Sequence, residues 1–262
     1  MESLLTIRES FRPVQPGVGP SDGPVTYQEI WPSARMSPYI YCYWQLYSAV
    51  RLAIPFNYRV VADGCIDLFF ELDRPVESFV MGFCSRYTVF ELGRTFNYVG
   101  IRFLPGMFPQ LFQMDASLLS HQCLGLKAIA PATARYIQEH VEPGMALSEV
   151  RRLLDAHFSE LTRRHSIAVD SRLLRALGQI LRSGGQLNVE RDLDIGVSPR
   201  QLRRLFAYYV GDTAKTFCRV VRFQRVLHMH PHFYEAGYYD QAHFIKDFRL
   251  LYGLTPGLAF KR

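Results

Sequence analysis

Hydrophobic and polar positions follow two rhythms along this chain. Between Tyr27 and Gly106 the apolar residues come in short runs at strand spacing. Ile66, Leu68, Phe70 and Leu72 alternate, the period-two pattern of a strand with one buried face. Residues 58–62 and 65–72 flank Asp63-Gly64, a dipeptide that accepts positive φ in a two-residue turn, so these segments are expected to pair as a hairpin. Residues 79–82, 87–92 and 97–103 read as further strands. Strands this short and closely spaced predict a small antiparallel barrel or sandwich. The first two dozen residues, rich in Gly and Pro, read as a mobile arm.

After Pro105 the period lengthens to that of helices. Residues 108–114 and 132–140 are expected to be helical, and Pro143-Gly144 makes a break. Ser148 is placed to cap a helix carrying Val150, Leu153, Leu154, His157, Phe158 and Leu161 on one stripe. That stripe suits either packing against the strand region or a seam between two copies of the chain. Residues 166–170 read as a hinge, dividing a β-rich domain (1–165) from a helical one (171–262). The helical part opens with Leu173, Leu174, Leu177, Ile180 and Leu181 on a first helix, ended by Gly184-Gly185.

Two stretches of this second part combine a seat with a polar ridge. In residues 188–211, Val189, Leu193 and Ile195 suit a short helix, followed by the turn Gly196-Val197-Ser198. Ser198 can cap the next helix, with Pro199 in its first turn. Leu202, Leu205, Phe206 and Tyr209 then share one face, and Arg200, Arg203 and Arg204 share the other. Arginine makes bidentate hydrogen bonds to guanine, and its neighbours neutralise phosphates, so such a helix suits the major groove. In residues 237–262, Asp240 caps a helix whose Phe244, Phe248 and Leu251 form the seat. Gln241, Ala242, His243 and Lys246 lie outside it, and Gly253 stops the helix. A long basic helix, residues 213–227, joins the two.

The segments GVSPRQLRRLF and GYYDQAHFIKDFRLLYGLTP resemble the two reading-helix motifs of AraC-family transcription regulators. Phe217, Arg219, Arg222 and Phe223 are similar to the FxRxxRF element that joins the two units in that family. The resemblance covers about residues 171–261. It implies an all-α, double helix-turn-helix domain on promoter DNA, with its reading helices about one duplex turn, roughly 34 Å, apart. It also implies DNA contacts by Arg200, Arg203, Arg204, Gln241, His243, Lys246 and Arg222, with a methyl contact from Ala242. A homodimer, a small-molecule effector and RNA polymerase are the further partners implied. The segments SPYIYCYWQLY, VVADGCIDLFFEL and VGIRFLPGMFPQLF resemble, less specifically, the cupin-like domains that precede such regulators. The fold expected is therefore α+β: an N-terminal antiparallel barrel or sandwich with flanking helices, then the helical domain. One departure stands out. Residues 228–236, with Pro231 among them, occupy an interval where the family places a full helix. The second reading helix is accordingly expected to be loosely held or reoriented, with DNA affinity leaning on the first unit and on dimerisation.

Composition sharpens the picture in one respect. Residues 171–262 hold 15 Lys and Arg against 7 Asp and Glu, and the rest of the chain 15 against 17. A polyanion partner is therefore expected for the C-terminal third only. Five scattered cysteines without a CxxC pair, no basic-then-apolar leader and no apolar run of roughly twenty residues together fit a cytoplasmic protein off the membrane. Little supports catalysis or a cofactor. The strand region has no histidine between Tyr27 and Phe112, and His228, His230 and His232 have no carboxylate near them before Glu235. Asp63, Cys65 and Asp67 lack a nearby base, and a turn accounts for Asp63. The aromatics Tyr39, Tyr41, Tyr43, Trp44, Phe69, Phe70 and Phe103 suit either core or an effector pocket. The alternative to a DNA-reading regulator is an interaction or small-molecule-binding protein whose DNA binding is weak and sequence-blind.

Overall fold

The structure, a computed structural model, describes residues 4–18, 23–165, 167, 169–193, 195–229 and 235–260. A short helix, α1 (Leu4–Ser10), precedes strands β1 (Val25–Ile30), β2 (Ile40–Ser48), β3 (Phe56–Val60), β4 (Asp67–Glu71), β5 (Arg74–Met81), β6 (Thr88–Leu92) and β7 (Asn97–Phe103). Then come α2 (Phe108–Phe112), a 3-10 turn at Ala116–Leu119, β8 (Cys123–Gly125), α3 (Leu126–Ile129), α4 (Pro131–His140) and α5 (Leu147–Arg164). The C-terminal part holds α6 (Ser171–Arg182), α7 (Pro199–Val210), α8 (Ala214–Met229), α9 (Gln241–Tyr252) and α10 (Pro256–Ala259).

The strands form an antiparallel sheet in the order β1-β2-β7-β4-β5-β8 and a separate ribbon, β3-β6. The expected α+β class holds, with the sheets in two layers; the barrel does not close, because β1 and β8 end the larger sheet as edges. Alternation along the strands separates two faces, as the pleat requires. Leu68 and Phe70 of β4 and Val99, Ile101 and Phe103 of β7 point to one face. There they pack with Phe108 and Leu111 of α2, Ile137 of α4, and Val150, Leu154 and Phe158 of α5. The stripe on α5 is thus used within the chain. The helix begins at Leu147, one residue before Ser148, and Glu149 Oε2 accepts from the Ala146 N–H (3.0 Å).

The expected hairpin across Asp63-Gly64 is not formed. β3 pairs with β6, and β4 pairs with β5 and β7. The Asp-Gly turn is real: Gly64 has φ +83°, and Asp63 Oδ1 accepts from the Cys65 N–H (2.9 Å). It carries the chain from the ribbon to the sheet. A turn signal is local, whereas strand partners are chosen by long-range burial.

Nor is the N-terminal arm free. Ile7 and Phe11 are buried, and α1 packs against α6. The Arg8 guanidinium donates to the carbonyls of Ser37, Ile40 and Tyr41 at 3.2, 2.6 and 2.8 Å and lies against the Trp31 and Tyr41 rings. The arm straps the two halves together. A single apolar cluster runs from Val61, Cys65 and Leu104 of the β-rich half into Leu177, Phe217 and Val220 of the helical half. Gln224 of α8 bonds across it, donating to Ala62 O (2.7 Å) and accepting from the Val14 N–H (2.7 Å).

The Gly184-Gly185 helix stop has a steric reason. Gly185 has φ +72°, and a Cβ there would stand 2.1 Å from the Cys218 carbonyl oxygen of α8. Gly185→Ala should destabilise the chain by about 2–4 kcal/mol, combining the left-handed penalty with a backbone overlap. Urea unfolding followed by circular dichroism measures this; a loss below about 0.5 kcal/mol would show that the α6–α8 contact yields freely.

Candidate nucleic-acid interface

Helix α7 is built by its ends. Ser198 Oγ accepts from the Gln201 N–H (3.3 Å) and Gln201 Oε1 accepts from the Ser198 N–H (2.9 Å), a reciprocal capping box with Pro199 in the first turn. Gly211, at φ +103°, closes the other end. Leu202, Phe206 and Val210 are buried as the seat, while Arg200, Arg203 and Arg204 are exposed together on the opposite side. The ridge read from the sequence is therefore presented to solvent as one surface.

Its supporting helix is not there. Residues 188–192 make a single turn instead of the short helix expected with Val189, Leu193 and Ile195. Asn188 and Asp192 close that turn on each other: Asn188 O accepts from the Asp192 N–H (2.7 Å) and Asp192 Oδ2 from the Asn188 N–H (2.8 Å). Asn188 Oδ1 also takes the N–H groups of Glu190 and Arg191 (3.0 and 3.2 Å), so side chains supply partners that a longer helix would find in its backbone. Leu193 and Ile195 are still buried and anchor the loop that leads into α7.

Helix α9 begins at the expected cap, with Asp240 Oδ1 accepting from the His243 N–H (2.7 Å), and ends at Gly253. Gln241, Ala242, His243 and Lys246 are exposed, and Phe248 and Leu251 are wholly buried. Phe248 packs against Phe223 of α8, Tyr252 and Phe260. Far from loose, α9 is also held by the β-rich half: Leu251 O accepts from the Ala62 N–H (3.2 Å) and Leu250 O from the Tyr87 N–H (3.1 Å). The interval expected to lack a full helix falls largely on residues 230–234, outside the described residues. His230 and His232 lie there too, while His228 ends α8 exposed.

Arg222 is placed differently from the other predicted contacts. It is half-buried, donating to Gly185 O (3.1 Å) and Gly237 O (3.2 Å), with its guanidinium 5.3 Å from the Tyr238 ring centroid. It clamps the turns before the two units and does not stand on the exposed ridge. A residue missed by the sequence reading, Asp247, does comparable work. It is buried on α9 and pairs with Arg219 of α8 (3.0 Å). The signal was present: Asp247 is the acidic residue of a helix facing the basic FxRxxRF element.

A second missed cluster lies in the β-rich half. Arg102 of β7 is almost wholly buried and reaches Asp67 (3.1 Å), Asp63 (3.3 Å) and Glu29 (3.3 Å). Asp67 and Arg102 are direct cross-strand partners, and the Trp44 indole N–H donates to Asp67 (3.0 Å). Asp63, assigned from the sequence to a turn alone, belongs to this cluster as well.

With this geometry in hand, comparison with known proteins assigns the C-terminal segment. Residues 194–262 match the family model of a helix-turn-helix domain, and residues 28–125 match that of a domain of unknown function, DUF6597. Among curated proteins, none matches the chain. Of the solved structures, ToxT from Vibrio cholerae O395 aligns over 80% of this chain and 90% of its own, at 14% identity and a TM-score of 0.35. Residues 194–262 are thus a helix-turn-helix domain. No helix among the described residues is long and apolar enough to cross a membrane.

Burial pushes the Asp67 carboxyl up to about 6, with Arg102 opposing and Asp63 reinforcing the shift. A carboxyl raised in the fold contributes stability that is fully present below its unfolded value and lost as pH rises through about 6. Wild type should therefore lose stability relative to Asp67→Asn between pH 4 and pH 7. Urea midpoints of the two proteins across that range test it; parallel profiles would show that Asp67 titrates as an ordinary carboxylate.

Proposed function

We propose that the chain is a sequence-specific transcription regulator that reads the major groove with α7 and α9, α7 supplying the larger share of the affinity. One observation carries this: Arg200, Arg203 and Arg204 stand exposed on one face of a helix whose opposite face is buried. Three guanidiniums in that setting serve both bidentate contact to guanine and phosphate neutralisation. Helix α9 offers the polar Gln241 and His243 with Lys246, and its other cation, Arg249, lies in its last turn. Arg222 enters this proposal as the clamp that sets the two units, not as a base contact. Promoter binding as a homodimer, with an effector on the β-rich half and RNA polymerase as a further contact, completes the reading. The β-rich half (1–165) and the helical half (171–262) would act as its two working parts.

The single turn at residues 188–192 favours a second reading, in which the reduced support of α7 leaves only weak, sequence-blind DNA binding. A footprint on the DNA upstream of the chain's own gene separates the two. A bounded protected site with salt-sensitive affinity supports specific reading.

The partition between helices is tested by fluorescence anisotropy on that site. Replacing Arg200 and Arg203 by alanine should weaken binding by roughly 30- to 1,000-fold and flatten its salt dependence. Replacing His243 and Lys246 should weaken it by less than about 10-fold. Equal losses from the two pairs would remove the leading role assigned to α7.

A further inference from the structure

The sheet face opposite the helices is only partly covered. The β3–β6 ribbon lies over it and leaves a cavity of about 260 Å³ between the layers. Trp44, Phe69, Phe79, Phe90 and Tyr98 line it. Phe69 is the hub, with ring centroids of Phe79, Tyr98, Trp44 and Phe90 at 5.5, 6.1, 6.2 and 6.4 Å. Gly100 makes room for this arrangement, being the cross-strand partner of both Trp44 and Phe69. A Cβ at Gly100 would fall 2.1 Å from the Trp44 indole.

The polar part of the lining is acidic in balance. Asp67 reaches the cavity with Arg102. Arg102 brings no free positive charge, since its nitrogens already face Asp67, Asp63 and Glu29. Three carboxylates share one guanidinium, so the site carries surplus negative charge. An anionic guest would meet surplus negative charge and an arginine with its donors engaged. A cation would meet carboxylates and the electron-rich faces of aromatic rings, which attract it by about 0.5–2 kcal/mol per ring contact.

We propose that this cavity binds a small organic cation with a single flat apolar ring, such as an aromatic ammonium. Its volume is near the lower end of ligand cavities, which suits a one-ring molecule. Binding itself stands apart from DNA reading; any effect of the ligand on DNA rests on the function proposed above.

The test is calorimetric titration of benzyltrimethylammonium into the intact, DNA-free chain, beside phenylacetate and neutral neopentylbenzene. The cation should bind saturably and at least about tenfold more tightly than either. Glu29→Gln and Phe90→Leu alter an exposed and a half-buried side chain, so both variants should keep the wild-type circular dichroism spectrum. Each should weaken the cation several-fold. No saturable heat from the cation, phenylacetate binding as tightly, or full binding by both variants would each overturn the assignment. Repeating the DNA titration with saturating cation then addresses regulation separately: unchanged DNA affinity would count against the coupling and leave the binding site standing.

Discussion

Helix α8 has almost no free side, and the rest of the molecule is arranged around that constraint. Phe217, Val220, Phe223 and Val226 are buried on it, as are Cys218, Gln224 and Leu227. One flank seats α7 through Phe206 against Phe217, and another seats α9 through Phe248 against Phe223. A third meets the end of the sheet, where Gly64 lies against Phe217 and Val220. A helix buried on several sides must satisfy any polar group it carries, because an unpaired buried amide costs about 1–3 kcal/mol. Gln224 meets that demand by bonding to Val14 and Ala62, outside the helical half. The spacer between α7 and α9 is therefore also the beam on which the β-rich half rests.

The helical half was the more legible from sequence, and its legibility is local. Ser198, Pro199 and Gly211 for α7, and Asp240 and Gly253 for α9, act on their own first and last turns, so residue identity alone places the ends. The failures there come from short intervals. Residues 188–192 had the apolar spacing of a helix, yet Asn188 and Asp192 offer the backbone enough partners to stop at one turn. The same reasoning misjudged α9, which is seated on Phe223 of α8 and tied further to Ala62 and Tyr87, far away in sequence. Long-range support leaves no local mark.

The β-rich half shows the complementary pattern. Strand positions and the buried alternation of Ile66, Leu68, Phe70 and Leu72 were readable, because the pleat imposes them on each strand separately. Pairing was not, because β3 finds β6 across an intervening hairpin and the Asp63-Gly64 turn is equally content to join two sheets. The N-terminal arm misled by its Gly and Pro content. Its anchors, Ile7, Arg8 and Phe11, are ordinary residues that acquire meaning only once the α6 surface and the carbonyls after Ser37 are in place. Arg102 was invisible for a related reason: a lone arginine in a strand acquires three carboxylates only when β1, β4 and the turn after β3 converge.

That convergence has a mechanical consequence, because Asp63 belongs to two networks at once. One of its carboxylate oxygens, Oδ2, lies 3.3 Å from Arg102 and accepts from Gln15 Nε2 at 2.7 Å. Gln15 also holds Val61, donating to its carbonyl and accepting from its N–H, beside the Ala62 that Gln224 and Leu251 bind. The floor of the cavity and the backbone that carries both α8 and α9 are thus separated by one side-chain amide. Spatial continuity alone does not amount to coupling; a two-state element is needed. Here the candidate element is the register of α9 against residues 62 and 87, which rests on two backbone hydrogen bonds of 3.2 and 3.1 Å. Against α8, α9 is held by ring packing, Phe223 lying against both Phe248 and Tyr252. A shift at the Asp63 turn would therefore move the β-rich half relative to a reading head that stays assembled. Such a design would change how α7 and α9 are presented without unfolding either one.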